Sequence, residues 1–241
     1  PRKSWKETMV AIKTNNIAVQ HTRSAVMAKI CRVFTQVLGV KAEHIAIYDG
    51  CHGRDMKKKT PFTDLPKGIR VESTWGGFKA ESPVGRPWKD EAKEVLCVKS
   101  LADGEVDILV NIALCKGHSS SYGGFSMSMK NHLGTYYPKH AHADEGRTEY
   151  VLAINKTPVI LGDLDLKKKK LLYPRQQLCL VDALWCSEQG PMDPSSDQAN
   201  RIFMSTCSPA LDYQVAHRFR KETMNWRINE PVVDRFMTEF G

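Results

Sequence analysis

Short runs that are almost wholly apolar, separated by one amphipathic stretch, constrain this chain more than anything else in it. Met9-Val10-Ala11-Ile12 and Ile45-Ala46-Ile47-Tyr48 are too short for buried helices and too uniformly apolar for strands with one wet face. Between them Val26, Ile30, Phe34 and Val37 recur at helical spacing, with Thr22 placed to cap the start and Gly39 to end it. Strand, helix, strand, with strands buried on both faces, predicts a parallel sheet. Asp107–Ile112 is a third such run and belongs at the sheet centre. Further strands are expected at Ile69–Glu72, Glu94–Val98, Leu178–Ala183 and Arg201–Ser205. Helices are expected over Phe125–Leu133 and Arg147–Asn155, after a Ser208 cap with Pro209 in the first turn, and from Pro231. The expected fold is α/β: a mostly parallel or mixed sheet with helices on both faces, as one domain over residues 1–241. Dense proline and glycine mark a loop-rich insertion at 51–92.

A compact chain of 241 residues hides roughly 70% of the surface its unfolded form exposes, so its core needs no staples. Seven cysteines are scattered at 31, 51, 97, 115, 179, 186 and 207, no two closer than seven residues. That spacing excludes CxxC zinc knuckles and the CxxCxxC run of a ferredoxin cluster, and it reads as buried small side chains. No apolar run approaches the length of a membrane span. The first residue is Pro1, so a removed leader and a trimmed start are both open, and with them cytoplasmic and periplasmic locations. The 35 Lys and Arg against 27 Asp and Glu give a formal charge of +8, which favours anionic partners. The lysine runs at 57–59 and 167–170 have no interleaved aromatics, so they read as solvated faces and not as a nucleic-acid platform.

The informative part of the charge is local. From Ile108 to Ala143, 36 residues, there is no Asp or Glu. The same stretch holds Lys116, Lys130 and Lys139, the histidines 118, 132, 140 and 142, and the glycines 117, 123, 124 and 134. It starts on the central strand and runs past its carboxyl end, where open α/β sheets gather ligand loops. A glycine-rich turn before a helix frees N–H groups for an anion. Lys116, Lys130 and Asn131, with the backbone near Gly123 and Gly124, are the expected ligand groups, helped by Asp49 and Asp182. His118 or His52 is the candidate general base of a catalytic reading, with Lys130 binding a carboxylate or cofactor and Asp182 or Asp212 orienting partners. His140 and His142, two apart, would share a face of a strand and could hold Zn²⁺, Ni²⁺ or Fe²⁺ with His132, His118 or Cys115. Set against these readings, Ser119–Ser121 with Tyr122, Gly123 and Gly124 also reads as a plain mobile loop, and Met127 and Met129 as packing beneath it.

Several pieces fall in a familiar order. Ile12-Lys13-Thr14-Asn15, Ile47-Tyr48-Asp49-Gly50, Leu109-Val110-Asn111 with Lys116-Gly117-His118, and Gly123-Gly124-Phe125 with Met129-Lys130-Asn131-His132-Leu133-Gly134 resemble a bacterial and archaeal family, domain of unknown function 362. Val181-Asp182-Ala183, Gly190-Pro191 and Ser208-Pro209-Ala210-Leu211-Asp212 are similar to its later landmarks. The resemblance implies an α/β fold and a site at these motifs. Members are often described as iron–sulfur or ferredoxin-linked proteins, which implies a ferredoxin-type electron carrier as partner; this chain itself has no cluster ligand motif. Ile112–Cys115 stands where the family often has proline. More distantly, His118 before Gly123-Gly124 and Lys130, and Asp49–Arg54 after a strand, are similar in outline to the nickel-pincer lactate racemase family.

Three functions follow as expectations. The first is a basic, glycine-rich cleft that binds a small anionic ligand or cofactor, in a redox-accessory role. The second is a metal-dependent isomerase or oxidoreductase acting on a small hydroxy or keto acid. The third is interaction alone.

Overall fold

A computed structural model describes residues 3–17, 19–50, 56, 60–73, 80–85, 94–136, 147–165, 168, 170–190 and 192–240. Six strands form its central sheet: β1 (Val10–Lys13), β2 (Ile45–Asp49), β3 (Arg70–Ser73), β4 (Ile108–Leu114), β5 (Gln176–Cys186) and β6 (Asp197–Ser205). Their order in space is β6-β5-β4-β1-β2-β3. All neighbours run parallel except β5 and β6. β1 is buried along its whole length, with Val10 opposite both Ile45 and Ile108. A four-residue apolar run finds its place there because both its edges and both its faces are covered.

The expected strand at Glu94–Val98 forms, but it pairs antiparallel with Ala80–Gly85 outside the central sheet. With that hairpin set aside, β4 lies directly against β1. Within the expected insertion, Arg70–Ser73 joins the sheet as its edge strand. The two late strands extend beyond their apolar cores, to 11 and 9 residues.

Helices lie on both faces. α1 (Ser24–Arg32) continues as a π-type turn over Val33–Val37 and sets Val26, Met27, Cys31 and Phe34 on the face formed by Val10, Ile12, Ile45, Ile47, Val110 and Ile112. The other face carries α2 (Ser128–Asn131), α3 (Arg147–Asn155), α4 (Ser208–Gln214) with its π-type extension Val215–Thr223, and α5 (Glu230–Thr238). Ala11, Ala46, Leu109 and Val181 meet Tyr150, Ile154, Leu211 and Phe236 there. Met127 and Met129 are fully buried in this second core.

Three local expectations change. Thr22 does not cap α1: its N–H bonds Asn15 O at 3.0 Å and its hydroxyl accepts that of Thr14 at 2.9 Å, closing the turn after β1. The cap role passes to Asp182, whose Oδ2 accepts the Arg23 N–H at 2.9 Å. The helix expected over Phe125–Leu133 splits, because Phe125–Ser126 pairs antiparallel with Lys116–Gly117 and only Ser128–Asn131 is α-helical. Asp212 starts that turn by accepting the N–H groups of Ser128 and Met129, each at 2.8 Å. Ser208 is the first residue of α4 and not its cap; its carbonyl accepts the Ser128 hydroxyl at 3.3 Å. Five cysteines among the described residues are buried thiols, and Cys207 is exposed.

The loop after β4 is locked against the loop after β5. A Cβ on Gly117 would overlap the carbonyl oxygen of Glu188, and one on Gly190 would overlap that of Gly117. Gly117→Ala is expected to lower stability by about 1–3 kcal/mol, because backbone and not a flexible side chain must move. Urea unfolding checks it; an unchanged midpoint would mean that the two loops are free to separate.

Candidate ligand-binding site

The chain leaves β1 for β2 and β3 on one side, then returns to β4 and β5 on the other. The reversal lies between β1 and β4, and open α/β sheets bind ligands in the crevice outside the carboxyl ends at such a point. Three charged residues stand at those ends: Lys13 closes β1, Asp49 closes β2, and Lys116 follows β4.

An amide ladder joins them. Lys13 Nζ lies 2.7 Å from Asp49 Oδ1 and donates to Asn131 Oδ1 at 3.1 Å. The second carboxylate oxygen of Asp49 accepts the Asn16 N–H at 2.7 Å. Asn131 Oδ1 also accepts from Asn15 Nδ2 at 3.2 Å, while Asn131 Nδ2 donates to Asn111 Oδ1 at 2.8 Å and to Ile112 O at 3.2 Å. Lys116 Nζ donates to Asn15 Oδ1 at 2.8 Å. Lys13 is 1% exposed and Lys116 is 0% exposed, so neither ammonium is hydrated like a surface lysine. An ammonium has three donors, and Asn15 supplies the one side-chain acceptor found for Lys116 among the described residues. Burial pushes its pKa down to about 8; the Lys13 cation adds to that and Asp49 opposes it.

Gly134 permits this approach. A Cβ there would land on Asp49 Oδ1 and come within 2.9 Å of Lys13 Nζ. Beneath the ladder, His132 Nε2 lies 2.6 Å from Gln176 Oε1 and 3.0 Å from Asn111 Nδ2, and its Nδ1 lies 3.1 Å from Thr135 Oγ1. Burial holds this imidazole neutral and pushes its pKa down to about 3, against the raising effect of Gln176.

A second cluster forms around Tyr122. Lys130 Nζ sits 4.6 Å from the centre of its ring, and the His118 ring meets it edge-on at 4.8 Å. His118 is half-buried, and its Nδ1 accepts the Ser119 N–H at 2.8 Å.

The structure therefore brings Lys116, Asn131 and Asp49 together and places Lys130 and His118 on a shared aromatic ring. Gly123 and Gly124 adopt φ of 89° and 87°, the left-handed turn that glycine suits. Their N–H groups bond Ser120 O at 2.9 Å and Ser119 O at 3.2 Å, so these donors shape the loop and do not face a crevice. Asp182 roots α1 through Arg23 and accepts the Leu184 N–H at 3.1 Å, and burial raises its pKa. His132 is engaged at both nitrogens. His52, His140 and His142 lie outside the described residues. Among the described residues, no group of three or more His, Cys, Asp or Glu is arranged to hold a metal ion. Lys13, Asn15 and Asn111 join the site beyond the residues expected from sequence, although a lysine ending a buried apolar run is itself a signal.

A mostly parallel α/β sheet whose switch point is filled by lysines and asparagines places the chain in the open α/β class. The family model described as Domain of unknown function (DUF362) matches residues 10–217, and the chain belongs to that family. No curated protein matches it.

Two outcomes test this geometry. Asp49→Asn removes the carboxylate paired with Lys13 and is expected to cost about 3–5 kcal/mol in chemical denaturation; a cost under about 1 kcal/mol would show that the pair is dispensable. The folded-state pKa of His132 lies below the ordinary histidine value of 6.5, so the unfolded chain binds the extra proton. Its stabilising effect is present above pH 6.5 and is lost as pH falls towards about 3. Asp212, raised from 3.8 to about 6 by burial, works the opposite way between those values. The difference between wild type and His132→Gln isolates the histidine: the variant's stability should fall less steeply on acidification, and identical slopes would refute the assignment.

Proposed function

We propose that the crevice over β1 and β4 binds a small anionic ligand, or the anionic group of a cofactor, with Lys116 as its principal charge. One observation carries this reading. Lys116 is a fully buried ammonium at the switch point whose side-chain hydrogen bonding is met, among the described residues, by a single amide oxygen. Leaving a charge in such a place without an anion costs several kcal/mol unless it deprotonates, and a bound carboxylate or phosphate oxygen would restore the missing acceptors. Lys13 adds a second cation, already balanced by Asp49, and Lys130 a third on the Tyr122 ring. The asparagines supply directional amides that fix orientation and do not change the net charge.

The ligand class that suits this set is a compact anion with two or more oxygen acceptors. A ferredoxin-type electron carrier as partner rests on the family resemblance alone, and the crevice geometry neither requires nor opposes it.

Thermal melting in phosphate, sulfate and small 2-hydroxy and 2-oxo acids tests the proposal. An anion at a hundred times its Kd stabilises by about 2.7 kcal/mol, which raises the melting temperature of a chain this size by roughly 5–10 °C. Lys116→Met should abolish the rise, and Lys130→Met should reduce it. The proposal fails if no anion raises the melting temperature, or if Lys116→Met retains the full effect.

A further inference from the structure

The two buried lysines of the crevice are satisfied unequally. Lys13 Nζ meets three acceptors: the Thr14 carbonyl, Asp49 Oδ1 at 2.7 Å and Asn131 Oδ1 at 3.1 Å. Three acceptors are the full complement of an ammonium, and here one of them is a carboxylate. Lys116 Nζ meets one acceptor among the described residues, the neutral Asn15 Oδ1 at 2.8 Å. Asn15 also links the two lysines, since its Nδ2 donates to the same Asn131 oxygen that accepts from Lys13. Both side chains are buried, so water does not make up the difference.

This inequality favours different protonation states. Lys13 is held as a cation by its carboxylate partner. For Lys116, losing a proton removes both the buried charge and one unmet donor, and leaves a lone pair on Nζ. Burial lowers its pKa to about 8; Lys13, at the end of β1, acts in the same direction, and Asp49, at the end of β2, acts against it. The acids of the adjoining strand and loop are engaged elsewhere: Asp182 accepts the Arg23 N–H at 2.9 Å, and Glu188 the Arg227 N–H at 3.3 Å. A desolvated lysine beside a second cation is an amine that can act as a nucleophile near neutral pH.

We infer that Lys116 Nζ is a nucleophile that condenses with a small aldehyde or ketone carrying an anionic group, and holds it as a protonated imine. The inference rests on the reading of the crevice as an anion site and adds a covalent step to it. The Nζ lone pair forms a bond to the carbonyl carbon, and the carbonyl π electrons move to oxygen, which takes up a proton to give a carbinolamine. Loss of that oxygen as water leaves C=N. Counted from the ammonium, one lysine and one carbonyl compound give one protonated imine and one water, with no change in charge and no oxidant or reductant. An anion alone would draw on a charge that Lys116 gives up readily, whereas a carbonyl uses the lone pair and restores the positive charge beside the anionic group. Asn15 Oδ1 holds one N–H and so orients the amine, and the asparagine amides around it neither titrate nor compete as nucleophiles. Lys13, with its three acceptors, remains the fixed cation of the pair.

Reductive trapping of the full chain tests it. Wild-type protein is incubated near pH 7 with pyruvate and cyanoborohydride, which reduces an imine to a stable carboxyethyl amine, and the adduct is located by peptide mapping. Lys116 should be labelled ahead of every exposed lysine, because its neutral fraction at that pH is larger on the order of a hundredfold. Its labelling rate should level off above about pH 8, while that of exposed lysines keeps rising. Lys116→Arg should lose this adduct and keep the slow surface background. Lactate, with the same carboxylate and no carbonyl, should give no adduct. Labelling confined to exposed lysines, or labelling of Lys116 no faster than theirs, overturns the inference. A melting temperature that lactate, phosphate or sulfate still raises would then leave the anion reading standing; if no anion raises it but Lys116 is trapped, the anion reading fails and the nucleophile remains.

Discussion

The buried pair of Lys13 and Asp49 is the constraint around which the carboxyl end of the sheet is organised. A charge pair with exposures of 1% and 3% is tolerable only when its remaining donors and acceptors are met. The chain meets them from five directions: the Thr14 carbonyl, the Asn16 N–H, and the amides of Asn131, Asn15 and Asn111, the last two reached through Asn131. To deliver Asn131, the segment after β4 must turn back over the sheet. Asp212 fixes that turn at its start, and Gly134 gives it clearance at its end. The position of α2, the break in the expected helix and the path of the loop from Lys116 are consequences of satisfying one ion pair.

The same logic explains why motifs distant in sequence belong together. Ile12-Lys13-Thr14-Asn15, Asn111 with Lys116, and Lys130-Asn131 with Gly134 are spread along the sequence, with Lys13 and Asn131 118 residues apart. In the fold, the first and last share the Asn131 oxygen, and the middle one flanks it through Asn111 and through the Lys116–Asn15 bond. A parallel sheet makes this possible because β1, β2 and β4 all end at one edge.

Much of this was legible in the sequence, and the parts that were not have physical reasons. Uniform apolarity over four residues was enough to place β1, β2 and β4 as buried parallel strands, because few environments accept such a run. The absence of acids from 108 to 143 drew attention to Lys116 and Asn131. The role of Lys13 is hidden in the sequence because Asp49, which it pairs with, lies 36 residues away, and spacing along a chain says nothing about pairing between strands. Helical spacing over Phe125–Leu133 misled because Phe125 and Met129 are buried whether or not one helix joins them; the two-residue pairing with Lys116–Gly117 leaves no trace in periodicity. Gly123 and Gly124 were read for donors to a ligand, whereas their positive φ values and internal hydrogen bonds serve the turn itself.

The formal charge of +8 thus divides into unlike parts. At the carboxyl end of the sheet, Lys13 and Lys116 are buried, and each is held by fixed side-chain partners. At the amino end, Lys3 and Lys6 are exposed, and the effect of exposed charges is additive and screened by salt. A buried cation discriminates by geometry, whereas an exposed run discriminates by surface charge density. The parallel sheet keeps these two sets of charges apart by its own length.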